Sequence, residues 1–235
     1  MDDEAPRSQA GASAAEIADA GPGRKGRAYR VVLTGGPCGG KSSALGLLRS
    51  RLQKQGFQVL TVPECATPLF EGSGGYDMSW AGTRKHVELQ QTFLRFQIAQ
   101  ENAFLKLSTL RDAPAVILYD RGVLDGFTFC SDAEWEQVLQ GTGQTITSLY
   151  ERYDAAVHLV TAAAYEDGRF YQFGEGSNNP ARFHNAEQAL ESDKKSETVY
   201  RAHPNYFKVE NKPTFTEKVT PCRSSRGDCC CRPRC

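Results

Sequence analysis

The sequence predicts an α/β fold in which a mainly parallel sheet carries helices on both faces. Three observations lead there. Short β-branched apolar runs alternate with longer stretches of helical period, and a glycine-rich loop lies between the first such run and the first helical stretch. The length of 235 residues suits one sizeable α/β domain with short extensions rather than two domains.

Residues 1–28 are rich in Ala, Gly, Ser and charge without an apolar period, cannot bury enough surface to offset the entropy of ordering, and read as a disordered leader. The domain is expected over 29–219. Arg30-Val-Val-Leu-Thr34 is its first strand, and Lys41 to Gln55, with Leu45, Leu47, Leu48 and Leu52, its first helix. Phe57 to Val62 reads as the second strand. Lys85 to Leu107 follows as a long helix whose Leu89, Phe93, Phe96, Ala99, Ala103 and Leu107 share a face. Ala115 to Tyr119 and Ala155 to Val160 are the third and fourth strands, and a polar helical stretch from Ala186 to Tyr200 precedes a fifth from Tyr206 to Val209. Alternation of this kind, without internal repeat, implies parallel strands joined by helical crossovers.

Lys plus Arg and Asp plus Glu are both 28, so no global field argues for a nucleic-acid partner. No apolar run approaches the roughly 18 residues of a membrane span, and the acidic start lacks a secretory apolar segment. A cytoplasmic protein without a transmembrane segment is expected. Of the eight cysteines, Cys38, Cys65 and Cys130 lie in the body and the other five crowd residues 222–235, which is not the spacing of a disulfide framework. In the Cys/Arg-rich tail at 220–235, Cys229, Cys230 and Cys231 lie among arginines. That combination permits acylation beside a basic patch and peripheral membrane attachment; the plainer reading is an unstructured tail.

The chemistry concentrates in a few strings. Gly35-Gly36-Pro37-Cys38-Gly39-Gly40-Lys41-Ser42 matches the phosphate-cradling pattern G-x-x-x-x-G-K-[ST] between a strand and a helix. Its backbone N–H groups and the start of the next helix, Ser43 included, suit a phosphate chain. Lys41 is placed to reach the β and γ phosphates, and Ser42 to ligate Mg²⁺. Val116-Ile-Leu-Tyr-Asp120 ends an apolar strand in a carboxylate, the second expected metal ligand. Arg121, next in line, can fork onto phosphate oxygens or form a structural ion pair. Glu64, after the second strand, falls at the same sheet edge, either to accept a substrate proton or as a solvated turn acid. Arg169 and Arg182 flank a polar, glycine-containing stretch that could close as a lid and deliver an arginine. His86 and His184 read as surface or capping residues. Asn211-Lys212-Pro213-Thr214 compares only weakly with a guanine-reading N-K-x-D pattern, because Thr214 stands where the base-reading Asp belongs.

Taken together, V-L-T-G-G-P-C-G-G-K-S-S, V-P-E-C-A-T, I-L-Y-D-R-G-V-L-D and N-N-P-A-R resemble the NadR-like P-loop domain of the TRPL translocation defect protein family, from about Arg30 to Lys218. The resemblance implies a nucleotide-kinase-like, Rossmannoid P-loop NTPase fold. It supports Glu64, Asp120, Arg121 and Arg182 as catalytic positions beside Lys41, since each falls within a matching string. Relatives continue into a CYTH-like domain, which the sequence after Lys218 does not contain, and the family is linked to GTP and acidic-phospholipid binding in membrane trafficking. Two functions therefore stay open. One is transfer of a phosphoryl group from ATP or GTP to a small hydroxyl-bearing substrate, or hydrolysis. The other is a non-catalytic GTP-binding protein that also binds acidic phospholipid.

Overall fold

Alternate residues of the central strands face opposite ways, and this divides the core in two. Val32, Ile117, Tyr119 and Ala156 point to one face of the sheet, where they meet Val87, Leu94, Trp135, Val138, Leu149 and Tyr200. Leu33, Val116, Leu118 and Leu159 point to the other, against Ala44 and Leu45. Strands buried on both sides need apolar residues at every position, which is why Ala115 to Tyr119 reads as a continuous run.

The computed structural model describes residues 27–165 and 185–219. The strands are β1 (Ala28–Thr34), β2 (Gln58–Val62), β3 (Ala115–Asp120), β4 (Ala155–Leu159) and β5 (Tyr206–Val209). They form one sheet in the order β2-β3-β1-β4-β5 with every pairing parallel. The helices are α1 (Lys41–Lys54), α2 (Ala66–Ser73), α3 (Arg84–Ser108), α4 (Asp132–Thr142), α5 (Ile146–Tyr150), α6 (Ala186–Tyr200) and α7 (Phe215–Val219). The fold is the α/β P-loop architecture with helices on both faces. Register brings Leu33 beside Asp120 and Val62 beside Tyr119, so the ends of β1, β2 and β3 open on one edge. Residues 1–26, Arg169, Arg182, the stretch 171–180, His184 and the tail lie outside the described residues, while Ala28, expected in the leader, already belongs to β1.

Two expectations need correction. The apolar residues of α3 do share a face, but it is largely the outward one: Phe96 and Leu107 are 39% and 48% exposed. The inward stripe is His86, Val87, Gln90, Leu94, Gln97, Glu101 and Ser108. It is partly polar because it meets polar groups: Gln97 Nε2 donates to the Arg121 carbonyl at 3.2 Å, and Glu101 accepts from the Tyr153 hydroxyl at 2.7 Å. Likewise His86 is buried rather than a surface or capping residue, its ring nitrogens 3.2 Å from Tyr76 Oη and 2.9 Å from the Phe129 carbonyl. Helices α2, α4, α5 and α7 are absent from the sequence reading. For α4 the signal was present, because Ser131 and Glu134 form a reciprocal capping box at its start.

Candidate functional site

The loop after β1 turns into α1 at Gly40, whose φ of 87° is costly for any residue with a Cβ. Gly40 also lends α1 no side-chain cap, so the first-turn amides keep their partial positive charge for a ligand. Lys41 is buried, and its ammonium donates to the carbonyls of Gly35 and Gly36 at 2.8 Å each. Burial, helped by the Arg121 guanidinium, lowers its pKa to about 8. Ser42 and Ser43 follow on the exposed side of α1. Ser42 Oγ donates to Asp120 Oδ2 at 3.2 Å, which joins the two expected metal ligands. Burial pushes the Asp120 carboxyl above its ordinary range, against the pull of Lys41.

Glu64 and Arg121 meet at 2.9 Å, so the structure brings together both residues proposed for that edge. Arg121 has φ 67°, a left-handed conformation that costs a non-glycine residue on the order of 1 kcal/mol. Its surroundings hold it there. Its N–H donates to the Leu33 carbonyl at 3.0 Å, its carbonyl accepts from Gln97, and its guanidinium reaches Asp125 Oδ1 at 3.3 Å and the Gly35 carbonyl at 3.4 Å. Burial works against its charge, but Glu64, Asp125 and Asp120 more than compensate and raise its pKa.

Asp125 was not singled out from the sequence, although it closes the string Y-D-R-G-V-L-D. It is 3% exposed and saturated: Thr34 Oγ1 donates to it at 2.8 Å, Gly122 N at 2.7 Å and Tyr200 Oη at 3.0 Å, besides Arg121. Gly122 is required by this packing, since a Cβ there would lie 2.5 Å from the hydroxyls of both Tyr153 and Tyr200.

Behind the glycine-rich loop a second set of contacts comes from chain beyond residue 160. Asp193 of α6 accepts from Gly36 N at 2.7 Å and Thr161 N at 3.1 Å. His158 Nε2 stands 3.2 Å from the same oxygen. Burial disfavours the Asp193 carboxylate, yet His158 and the two amides outweigh it and lower the pKa. The Thr161 hydroxyl donates to the Pro37 carbonyl, and Ala162 N to the Cys38 carbonyl at 3.3 Å. Lys218 Nζ donates to the carbonyls of Gly39 at 2.9 Å and Val160 at 2.6 Å, and to Asn211 Oδ1 at 2.9 Å. Asn211 also donates to the Thr161 carbonyl at 2.8 Å, so its side chain braces backbone. Apart from Asn211, whose weak N-K-x-D resemblance points to a base rather than to this bracing, none of these residues carries a local sequence signal.

Among the described residues no group of three His, Cys, Asp or Glu could hold a metal ion alone, and no helix is long and apolar enough to cross a membrane. The adjacent oxygens of Ser42 and Asp120 nevertheless fit a hard divalent cation such as Mg²⁺, which usually takes one or two protein oxygens and completes its shell with phosphate and water. A search of curated proteins finds no match. The matching family model is described as an AAA domain and spans residues 30–218. That span holds the glycine-rich loop, the Ser42–Asp120 pair and the contacts behind the loop, in a fold that binds nucleotide, and the chain belongs to the AAA domain family.

Proposed function

We propose that the chain binds ATP or GTP with magnesium and transfers the terminal phosphoryl group to a hydroxyl of a small substrate, or to water. The observation that carries this reading is the 3.2 Å contact of Ser42 with Asp120, set beside the Lys41 ammonium on the sheet edge that also holds Glu64 and Arg121. A cleft of about 270 Å³ opens along this corner, with Ser42, Arg49, Pro63 and Asp120 in its walls.

In this reading Lys41 exchanges the carbonyls of Gly35 and Gly36 for phosphate oxygens, and the amides from Cys38 to Ser43 line the phosphate chain, since Pro37 has none and Asp193 holds that of Gly36. Ser42 and Asp120 hold magnesium, which when bound neutralises part of the phosphate charge. Arg121 supplies a second cation and orients Glu64. The acceptor oxygen bonds to the γ phosphorus as the bridge to the β phosphate breaks, and its proton passes to the Glu64 carboxylate. Arg182 enters by resemblance alone, through the string N-N-P-A-R.

The resemblance carries both readings, a nucleotide-kinase-like fold and a family linked to GTP and acidic phospholipid, and does not choose between them. The rival reading has an observation of its own: Glu64 is already engaged by Arg121, and a committed carboxylate suits a protein that binds nucleotide without fast turnover. Turnover of ATP and GTP with magnesium, alone and with a panel of nucleosides and of anionic vesicles, separates the two. A phosphorylated acceptor or released phosphate supports transfer. Nucleotide binding without turnover, coupled to vesicle affinity, supports the rival, and absence of any nucleotide binding sinks both.

A further inference from the structure

A trans peptide carries its C=O and the following N–H on opposite sides of one plane, so whatever fastens a carbonyl also aims the next amide. No described peptide is cis. The carbonyls of Pro37, Cys38 and Gly39 are each fastened from behind, by Thr161 Oγ1, Ala162 N and Lys218 Nζ. These contacts turn the amides of Cys38, Gly39 and Gly40 to the opposite side. At Gly36 the pattern inverts. Asp193 takes the amide, which sends the Gly35 carbonyl forward to Lys41 and Arg121.

Lys218 differs from the other braces because it brings charge. Its three hydrogen-bond acceptors are two backbone carbonyls and an amide oxygen, none of them a carboxylate. Asp193 and Glu210 are the acidic groups that act on it from α6 and from the chain after β5. Lys218 is half-buried, and withdrawing an ammonium even partly from water without a bonded carboxylate is costly, a cost that an anion held by the loop in front of it would offset.

We propose that Lys218 is a positioning residue of the phosphate site: it fixes the Gly39 carbonyl outward, so that the Gly40 amide faces the phosphates, and it adds a positive charge behind the loop. This rests on the reading of the loop as a nucleotide-phosphate site and adds to it a second lysine, about 180 residues further along the chain, that no loop motif includes.

The test is titration of the whole chain with magnesium and a non-hydrolysable ATP or GTP analogue, for the unaltered protein and for Lys218→Met and Lys218→Arg, at low and high salt, with thermal melting of each without nucleotide. Lys218→Met should weaken binding about tenfold or more and flatten its salt dependence, because one cation near the phosphates is gone. Lys218→Arg should recover most of the affinity and all of the salt dependence. Unchanged affinity in Lys218→Met overturns the proposal. So does a loss with unchanged salt dependence that Lys218→Arg shares in full, since that is the pattern of a purely structural lysine. Where Lys218→Met does not fold, Lys218→Gln, neutral and able to donate to the Gly39 carbonyl, decides by the same titration. If the unaltered protein binds no nucleotide, the phosphate-site reading itself fails, an outcome distinct from any of these.

Discussion

The front and the back of the glycine-rich loop are built by different parts of the chain under different rules. The front is local: Gly35 to Ser43 are consecutive, and Asp120 and Arg121 arrive on the neighbouring strand through one register. In the proposed reading its side chains touch phosphate and metal, so only a few residue types serve and the pattern can be read as a string. The back is assembled from Thr161, Asp193, Asn211 and Lys218. There the requirement is only that some donor or acceptor meet a given backbone group. Many residues at many positions could do that, so no string announces it. Phosphate chemistry constrains sequence where it is touched, and geometry alone constrains it one layer behind.

The largest expected effect lies at the front. Lys41→Ala removes the cation nearest the phosphates and should weaken magnesium-nucleotide binding by about 10³-fold, on the order of 4 kcal/mol. The fold should survive, with a melting temperature unchanged or higher, because a desolvated ammonium is removed and no core packing goes with it. Calorimetric titration and a thermal melt check both halves. A folded Lys41→Ala protein with unaltered affinity would break the comparison at its root.

Asp125 tests the boundary between the two regions. Its carboxylate is buried beneath the front and carries Thr34, Gly122, Tyr200 and Arg121. Asp125→Ala strands those donors and should cost about 3–5 kcal/mol of folding stability, measured by denaturant unfolding. Asp125→Asn, which keeps some of the acceptors, should cost less. A small loss in Asp125→Ala would mean that Glu64 and the contacts to Leu33, Gln97 and Gly35 suffice to hold Arg121 in its left-handed conformation.

Legibility in the sequence follows the same division. Five strands and the three longest helices are visible because apolar runs of period two and stretches of helical period record burial. The inward face of α3 is not legible in the sequence because Gln90, Gln97 and Glu101 are buried there, with polar partners for Gln97 and Glu101, and a hydrophobicity pattern counts such residues as solvent-facing. At the site, Lys41, Ser42, Asp120, Arg121 and Glu64 converge as their strings suggested. Asp125 and Asp193 are not legible in this way, since their value lies in what they accept from across the fold, at separations of 91 residues to Thr34 and 157 to Gly36. Sequence adjacency carries no trace of such contacts.

Glu64→Gln sharpens the front itself by separating holding from chemistry. Under the transfer reading it should lower turnover by about 10²-fold, near 2.7 kcal/mol, while nucleotide affinity moves little. Steady-state turnover set against equilibrium binding provides the measurement. Full turnover would remove Glu64 as the proton acceptor and leave it only as the partner of Arg121.

The smallest effect, a dependence on pH, compares the two lysines directly. Burial lowers both Lys41 and Lys218 from the ordinary lysine value of 10.5 to about 8, so both are charged below pH 8 and lose charge in the nucleotide-free protein as pH rises through that value. Nucleotide binding favours the charged forms. Affinity should therefore be flat below about pH 8 and fall severalfold over the next unit, with proton uptake on binding between pH 8 and 9. Stability without nucleotide should move the other way. The folded pKa values lie below the unfolded one, so the unfolded chain binds more protons between about pH 8 and 10.5, and unfolding becomes harder as pH rises across that window. On the acid side, the raised Asp120 carboxyl should lose its negative charge, and with it magnesium-dependent affinity, earlier than an ordinary aspartate would. Titration calorimetry in buffers of differing ionisation enthalpy measures the proton uptake. In Lys218→Arg the back cation no longer titrates, so the alkaline fall should become shallower and report Lys41 alone. An alkaline profile identical in the two proteins would show that the phosphate site feels the front lysine and not the back one.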